Sequence, residues 1–493
     1  MTTVRDVRPA RVIAPMPAAP QPLAERLLLS FQKYVSVEHE DGLSQVRTRL
    51  NTQKLRAPGP GMRAVLDCLA GGGATADELA ALVHADDGSF ATLYYRLKQW
   101  EKWRLLRYTL VIGGAAFLTV EPIGQAFAIE PGPVAEHARF ALSRFALCRR
   151  SDGDLTLESP LSHARVVLAP QAGALLGGLV QPRSAGELAT QLGMSVGDAR
   201  DLLSLLASQG LLSAVGDDGV LAESADQTLQ QWNFHDLLFH ARSRTGRQDY
   251  AFGATFRFLG AIEPQPAVKP PMSPDVIALH KADIEQLKAG DQPFTRILEE
   301  RCSVREYGDQ PISLAQLGEF LYRVARVRAI VPRYSRPGMV YEASNRPYPG
   351  GGAGYELELY LTVNTCDGLA AGLYHYDPLN HQLERLSGRT AHLEQLLSDA
   401  WTSAAQLCTP QVLITYASRF QRMGWKYDAM AYAATLKNVG ALYQTMYLVA
   451  TAMNLAPCGL GSGNSDLLAQ AAGLDYLKES SVGEFMLGSR RPA

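Results

Sequence analysis

The sequence predicts an α+β protein: two copies of a three-helix-and-hairpin pattern, then a longer half in which helices alternate with strands. Three observations predict it. Leu436, Val439, Leu442, Met446, Val449 and Met453 recur at three- and four-residue steps, the spacing of one helix face. Glu356 to Val363 alternates as a strand does. The stretches AVLDCLAGGGATADELAALV and ALLGGLVQPRSAGELATQLG carry matching apolar and Glu-Leu positions about 110 residues apart, which reads as an internal duplication.

Composition bounds the answer. The 493 residues are 47% hydrophobic and 19% charged, enough to give each of about three domains a core. A formal charge of −2 supplies no general reason to expect nucleic acid or an anionic membrane as partner. The six cysteines (Cys68, Cys148, Cys302, Cys366, Cys408, Cys458) are scattered and form no CxxC pair. Neither a zinc site nor a disulfide framework is indicated, so buried free thiols in a reducing cytoplasm are expected. Leu105 to Val120 is the most apolar stretch, but Arg107 and the Gly113-Gly114 break make it a β-hairpin rather than a membrane span. Residues 1–22 hold three arginines and five prolines with no apolar signal core, and a disordered tail is expected there.

Residues 23–130 read as a first module. Met62 to Leu69 is helical, Thr75 with Glu78 forms a capping box, Phe90 to Trp103 is a longer helix, and the hairpin follows. Helix, helix, helix, wing is a winged-helix order. Residues 139–222 repeat it with short strands at Leu155–Pro160 and Ala164–Leu168. Helices follow at Ala172–Val180, after the Ser184/Glu187 box, and at Val196–Gln209, ended by Gly210. A DNA reader needs polar and basic side chains on its third helix. Here Arg200 sits beside Asp198 and Asp201, and Arg96, Lys98 and Lys102 are a modest set, so DNA is not the favoured partner. His235 and His240 lie five apart, off a common helical face, which points to packing rather than a metal site. Pro264 to Pro274 reads as an extended connector with no core of its own.

The last stretch, 225–493, holds the candidate chemistry. Arg301, Ser303 and Arg305 are spaced by two, so an extended segment aims two guanidiniums and a hydroxyl one way, as a phosphate monoester requires. Ser313 and Gln316 box the start of a helix over Leu314–Val327. Pro349, Gly350 and Gly351 open a glycine run whose backbone can approach a flat ring or a phosphate. Pro457 to Gly463, with Gly459 and Gly461, reads as a second low-bulk loop. Lys426 and Tyr427 set a potential cation beside a phenol; a proton-accepting phenol works best when a neighbouring ammonium lowers its pKa.

Together, WKYDAMAY, KNVGALYQTMYLVATAMNLAPCGLGSGNSD and SVGEFMLG resemble the SagB/McbC/ThcOx-type azoline dehydrogenases of the nitroreductase superfamily, over roughly residue 232 to the end. The resemblance implies a nitroreductase-like FMN domain behind two winged-helix modules that act as leader-peptide clamps. It implies oxidation of thiazolines or oxazolines in a ribosomally made peptide to thiazoles or oxazoles, with O2 as acceptor. Lys426 and Tyr427 would be catalytic, with either as the base. Arg301, Ser303 and Arg305 would hold the FMN phosphate, and Gly459 and Gly461 would lie over the ring edge. Arg490 and Arg491 supply late basic residues that either reach the phosphate or end in a charged tail. A cytoplasmic homodimer, an azoline-containing precursor peptide and a cyclodehydratase partner also follow from the likeness. Two positions depart from the family's pattern: Gly350 stands where a serine is usual, and Ala433 follows Tyr432 where many relatives have arginine. The rival readings are an NAD(P)H-dependent nitro- or quinone-reductase and a flavin-less peptide- or DNA-binding scaffold.

Overall fold

The computed structural model describes residues 23–48, 51–85 and 89–491; the tail expected over 1–22 lies outside them. The chain forms two compact units, one ending at Asp249 and one beginning at Tyr250.

In the first unit a short strand β1 (Leu28–Phe31) precedes a three-stranded meander of β2 (Ser36–Glu40), β3 (Leu43–Arg47) and β4 (Thr52–Arg56). Helices α1 (Pro60–Ala70), α2 (Ala76–His84) and α3 (Phe90–Lys102) follow, then the hairpin of β5 (Leu106–Ile112) and β6 (Ala115–Pro122). Gly113 and Gly114 turn that hairpin at φ +61° and +80°, values a two-residue primed turn demands and side chains resist. The second copy runs β7 (Phe140–Leu142), β8 (Leu147–Ser151), β9 (Asp154–Glu158), β10 (Ala164–Leu168), then α4 (Gly173–Gly178), α5 (Ala185–Leu192), α6 (Val196–Ser208) and β11 (Leu212–Ala214). Both capping boxes form, Thr75 with Glu78 and Ser184 with Glu187.

The two copies are fused. β10 pairs antiparallel with β6, so one six-stranded sheet in the order β1-β5-β6-β10-β9-β8 runs through both. A single apolar core extends from Leu23 to Leu212. Helix α7 (Phe234–Arg242) belongs to this unit: Arg242 reaches Glu158 at 3.3 Å, and Arg165 pairs with Asp249 at 3.1 Å. His240 stacks on Trp232, while His235 is exposed beside Asp236.

The second unit is built on an antiparallel seven-stranded sheet. Its strands are β12 (Val276–Ala278), β13 (Leu357–Val363), β14 (Gly372–Asp377), β15 (Gln382–Ser387), β16 (Val412–Arg419), β17 (Leu455–Leu460) and β18 (Glu479–Ser489). The spatial order is β12-β15-β14-β13-β16-β18-β17. β13 and β16 are buried along their whole length, because alternate residues face two helical layers. Leu357, Leu359 and Leu361 pack toward α8 (Leu314–Ala325) and the 22-residue α10 (Ala431–Ala452). Tyr360 packs the other way, with Leu393 and Leu468. The Ser313/Gln316 box caps α8.

Three expectations are corrected here. The Pro264–Pro274 connector is packed: Ala267 is fully buried, Lys269 bonds Glu479 at 2.7 Å and the Tyr360 hydroxyl at 2.6 Å, and the Met272 N–H donates to Glu384. Its extended backbone supplies partners to buried charges, which an apolar-pattern reading does not register. Pro457–Leu460 is strand, not loop. β17 is the sheet edge, where a proline without an N–H is tolerated, and the Pro457 carbonyl accepts from Val304 N–H at 2.8 Å. All six cysteines are free, but Cys148 and Cys302 are exposed rather than buried. Among the described residues no helix is long and apolar enough to cross a membrane.

Candidate functional site

Helix α9 (Phe420–Lys426) ends where Tyr427 turns into an extended pair with Ala254. The Lys426 side chain is buried, and its ammonium donates to the Gly352 carbonyl at 2.9 Å and to the Tyr341 hydroxyl. It also lies 4.5 Å from the centre of the Tyr341 ring and 5.1 Å from that of Tyr427. A carbonyl, a phenol and two ring faces thus surround the cation, with no carboxylate bonded to it among the described residues. The Tyr341 hydroxyl donates to the same Gly352 carbonyl at 2.5 Å.

Gly352 is the meeting point. Its φ is +58°, and a Cβ there would stand 2.1 Å from the Lys426 Nζ and 2.3 Å from the Tyr427 hydroxyl. The ammonium and the phenol therefore lie within a few ångström of one another, at a place only glycine leaves open. The rest of the glycine run is held tightly. Gly350 backs onto the Tyr355 ring, and Gly354 onto the Met423 sulfur. The Gly351 N–H donates to Asn438 Oδ1 at 2.9 Å, whose amide nitrogen donates to Glu356 at 2.9 Å. That amide, expected to face a ligand, is already satisfied by α10. Pro349 is exposed at the start of the run.

Arg422 fixes this corner. Its guanidinium donates to the carbonyls of Gly354, Gln265 and Glu342 at 2.5, 2.7 and 2.9 Å, tying three chain segments together. Burial, then the nearby Arg419 and Arg346 cations, push its pKa down to about 10. Trp425 donates to the Ile262 carbonyl and meets Phe256 edge-on, closing the apolar side. Tyr341, Arg422 and Asn438 were not singled out from the sequence. Arg422 stands one helical turn before Lys426, and Asn438 interrupts the apolar face of α10; those were the available signals.

A second group lies near the other end of α10. Residues 301–308 run extended along the sheet edge, anchored by Val304 to Pro457 and by Gly308 N–H to Ser489 O at 3.1 Å. The Ser303 hydroxyl meets the Tyr447 hydroxyl at 2.8 Å, and the Arg301 guanidinium sits 5.2 Å from the Tyr447 ring centre. Tyr447 also accepts from the Gly459 N–H at 2.7 Å. Ser303 and Arg305 approach the Cys458 thiol, which burial nonetheless pushes up. Arg301 and Arg305 are half-buried, and neither has a carboxylate partner among the described residues. Two partly desolvated cations beside a pair of hydroxyls fit a phosphate monoester.

Other expected residues are not gathered in. Arg491 bonds Glu306 at 3.1 Å and the Tyr307 carbonyl at 3.0 Å. The Arg490 carbonyl backs onto Gly308, and Gly461 is exposed with nothing crowding it.

Comparison with known proteins bears on both units. The family profile of the cyanobactin oxidase ThcOx matches residues 140–249, and that of the nitroreductase family matches residues 298–489. A Methanocaldococcus jannaschii protein assigned by name to the nitroreductases is 28% identical over 188 residues, 38% of this chain and 85% of its own. The Escherichia coli microcin B17-processing protein McbC is 34% identical over 124 residues, 24% of this chain and 43% of McbC, so less than half of McbC is spanned. A chain in the solved Escherichia coli microcin synthetase McbBCD complex with truncated pro-MccB17 aligns at 20% identity over 52% of this chain and 91% of its own, with a TM-score of 0.32. The chain thus carries one segment similar to the cyanobactin oxidase ThcOx and, after it, one similar to the nitroreductases, which together support an oxidoreductase of the SagB/McbC/ThcOx type.

Proposed function

We propose that the protein is an FMN-dependent dehydrogenase that oxidises azoline rings in a ribosomally made peptide to azoles, with dioxygen as terminal acceptor. The observation that carries the reading is the convergence of Lys426 and Tyr427 on Gly352, inside the glycine run, with Tyr341 holding the ammonium in place. An azoline has an acidic C–H beside its imine and carbonyl; aromatisation removes that proton and one hydride. Bound FMN supplies the hydride acceptor. The Lys426–Tyr427 pair supplies the base, and Trp425 with Phe256 limits water around it. Arg301, Ser303 and Arg305 hold the phosphate end.

A homodimer is part of this reading by likeness to the SagB/McbC/ThcOx type. The Lys426 ammonium sits at Gly352, beside Gly351, whose N–H bonds Asn438 in the middle of α10. Asn438 and Tyr447 are about 14 Å apart along the axis at 1.5 Å per residue. The two amino-terminal repeats serve in this reading as winged-helix clamps for the substrate's leader, with a cyclodehydratase supplying the azolines.

The test is the visible spectrum of purified protein followed by an azoline peptide. Released FMN at about one per chain, and a two-hydrogen mass loss from the peptide, are expected. A colourless protein that refuses added FMN overturns the reading. Arg301→Ala with Ser303→Ala is expected to weaken FMN retention about tenfold or more, since two charge-assisted contacts go. Fluorescence titration of the apoprotein measures it, and unchanged affinity would move the phosphate elsewhere.

A further inference from the structure

We propose that a cavity in the first unit, walled by Trp232, His240, Arg244 and Arg247, binds a small aromatic phosphate of the nucleoside monophosphate kind. All the residues that line it precede Asp249, so it is separate from the groups assigned to FMN.

Three stretches of chain build the cavity. Gln125 and Ala126 follow β6, Pro160 to His163 lie between β9 and β10, and α7 with the loop behind it supplies the rest. Its volume is about 640 Å³, inside the span of roughly 300–1,000 Å³ usual for small-molecule sites. The loop is already pinned in place. The Arg242 guanidinium donates back to the Arg247 carbonyl, and Arg247 donates through one nitrogen to the carbonyls of Leu161 at 2.9 Å and Pro160 at 3.4 Å. The Gln125 N–H reaches the Gly246 carbonyl at 3.4 Å. Gly124 lets His163 close in, since a Cβ there would stand 2.1 Å from the imidazole Nδ1. Little of the wall has to be ordered when a ligand arrives.

Charge sets one end of the ligand. Arg242 pairs with Glu158 at 3.3 Å, whereas Arg244 and Arg247 pair with no carboxylate among the described residues. No Asp or Glu lines the cavity. Two guanidiniums without a counter-charge suit a phosphate dianion better than a single carboxylate. The carbonyl end of α7 opposes an anion, but only with a partial charge, and the two arginines outweigh it.

A flat platform sets the other end. Trp232 and His240 stack with centroids 5.8 Å apart and planes 26° from parallel. Leu161, Leu229 and Leu237 lie beside them. Trp232 is bonded through its backbone alone, its carbonyl accepting from Arg144 at 3.3 Å and its N–H donating to Leu229 at 3.1 Å. The indole N–H is therefore free among the described residues, and a heteroaromatic ring can both extend the stack and accept from it. An apolar ligand would bury the guanidiniums without a partner, and inorganic phosphate would leave the platform bare. A ring that carries a phosphate answers both.

Isothermal titration calorimetry of the full chain, saturated with FMN, tests this with AMP, adenosine and inorganic phosphate. AMP should bind at about one per chain, with adenosine and phosphate each weaker by about tenfold or more. Arg244→Glu should weaken AMP about tenfold or more. Arg244 makes no hydrogen bond within the chain among the described residues, so this variant should unfold at the parent's thermal midpoint. Trp232→Leu should weaken AMP and adenosine alike and leave phosphate unchanged. Hydrogen exchange over residues 237–247 should slow when AMP is added. Unchanged AMP affinity in Arg244→Glu, no binding at millimolar AMP, or phosphate binding as tightly as AMP overturns the proposal. AMP that releases flavin fluorescence has entered the FMN site, and that result overturns it too. A chain that takes up no FMN is titrated in the same way, so the flavin reading and this one fail separately.

Discussion

Gly352→Ala is expected to abolish azoline oxidation as thoroughly as Tyr427→Phe or Lys426→Ala, with the protein still folded. The new Cβ would fall 2.1 Å from the Lys426 ammonium and 2.3 Å from the Tyr427 hydroxyl, so both groups must swing away or the loop must shift. The backbone adds its own cost, since φ +58° is unfavourable by about 1 kcal/mol for any residue with a Cβ. Loss of a positioned base costs about 10² to 10⁴ in rate. A drop of that order in kcat at saturating peptide is expected for each of the three variants. Because the three positions meet at one point, Gly352→Ala combined with Tyr427→Phe should be no slower than either alone. Tyr341→Phe should fall between, as it removes one acceptor from the ammonium and leaves the Gly352 carbonyl. Single-turnover oxidation of a flavin-loaded sample checks the set. A Gly352→Ala enzyme near the parent's kcat would show that Lys426 and Tyr427 work somewhere other than at this glycine.

What was legible in the sequence followed the range of the interactions. The three capping boxes, the Gly113-Gly114 hairpin and the long α10 each rest on residues within a turn or two of one another, and each formed as read. The fused sheet was not legible, because nothing in the strand patterns of Ala115–Pro122 or Ala164–Leu168 names the partner strand. The strand at Pro457 was missed because its proline and glycines argue against a strand, a rule that relaxes at a sheet edge. At the site, Lys426, Tyr427, Arg301 and Ser303 were named, yet the groups that hold them were not. Tyr341, Arg422 and Tyr447 act across 85, 68 and 144 residues of chain respectively. The Gly351 amide was assigned to a ligand by composition, whereas the fold assigns it to Asn438. Motifs told which atoms carry chemistry, and tertiary contacts decide which remain available for it.

A second large effect belongs to the interior of the carboxy-terminal sheet. Glu358 is fully buried on β13, with one oxygen 3.2 Å from His375 and the other 3.3 Å from Arg419, while the second His375 nitrogen is 2.9 Å from Glu384. Burial alone would raise the Glu358 pKa, but the His375 hydrogen bond, then the His375 and Arg419 charges, bring it down to about 2. Burial opposes the charged form of His375 too, and its bonds to Glu358 and Glu384 outweigh that, so its pKa is raised. The depressed carboxyl contributes stability that is complete above its usual 4.5 and is lost as pH falls toward 2. The raised imidazole contributes stability that is complete below its usual 6.5 and is lost as pH climbs through its folded value. This cluster therefore stabilises most between those two limits. Glu358→Gln leaves Arg419 and His375 against a neutral amide in the core, and a loss of about 3–5 kcal/mol is expected. The variant should also lose the larger part of the acid limb, since the amide does not titrate and only Glu384, its pKa lowered against burial by His375 and the Met272 N–H, still does. Urea unfolding read by pulsed hydrogen exchange of β13 and β14, between about pH 3 and pH 9, separates the two limbs. Parallel curves for the parent and the variant would mean that the charges of this cluster do not govern the sheet's stability.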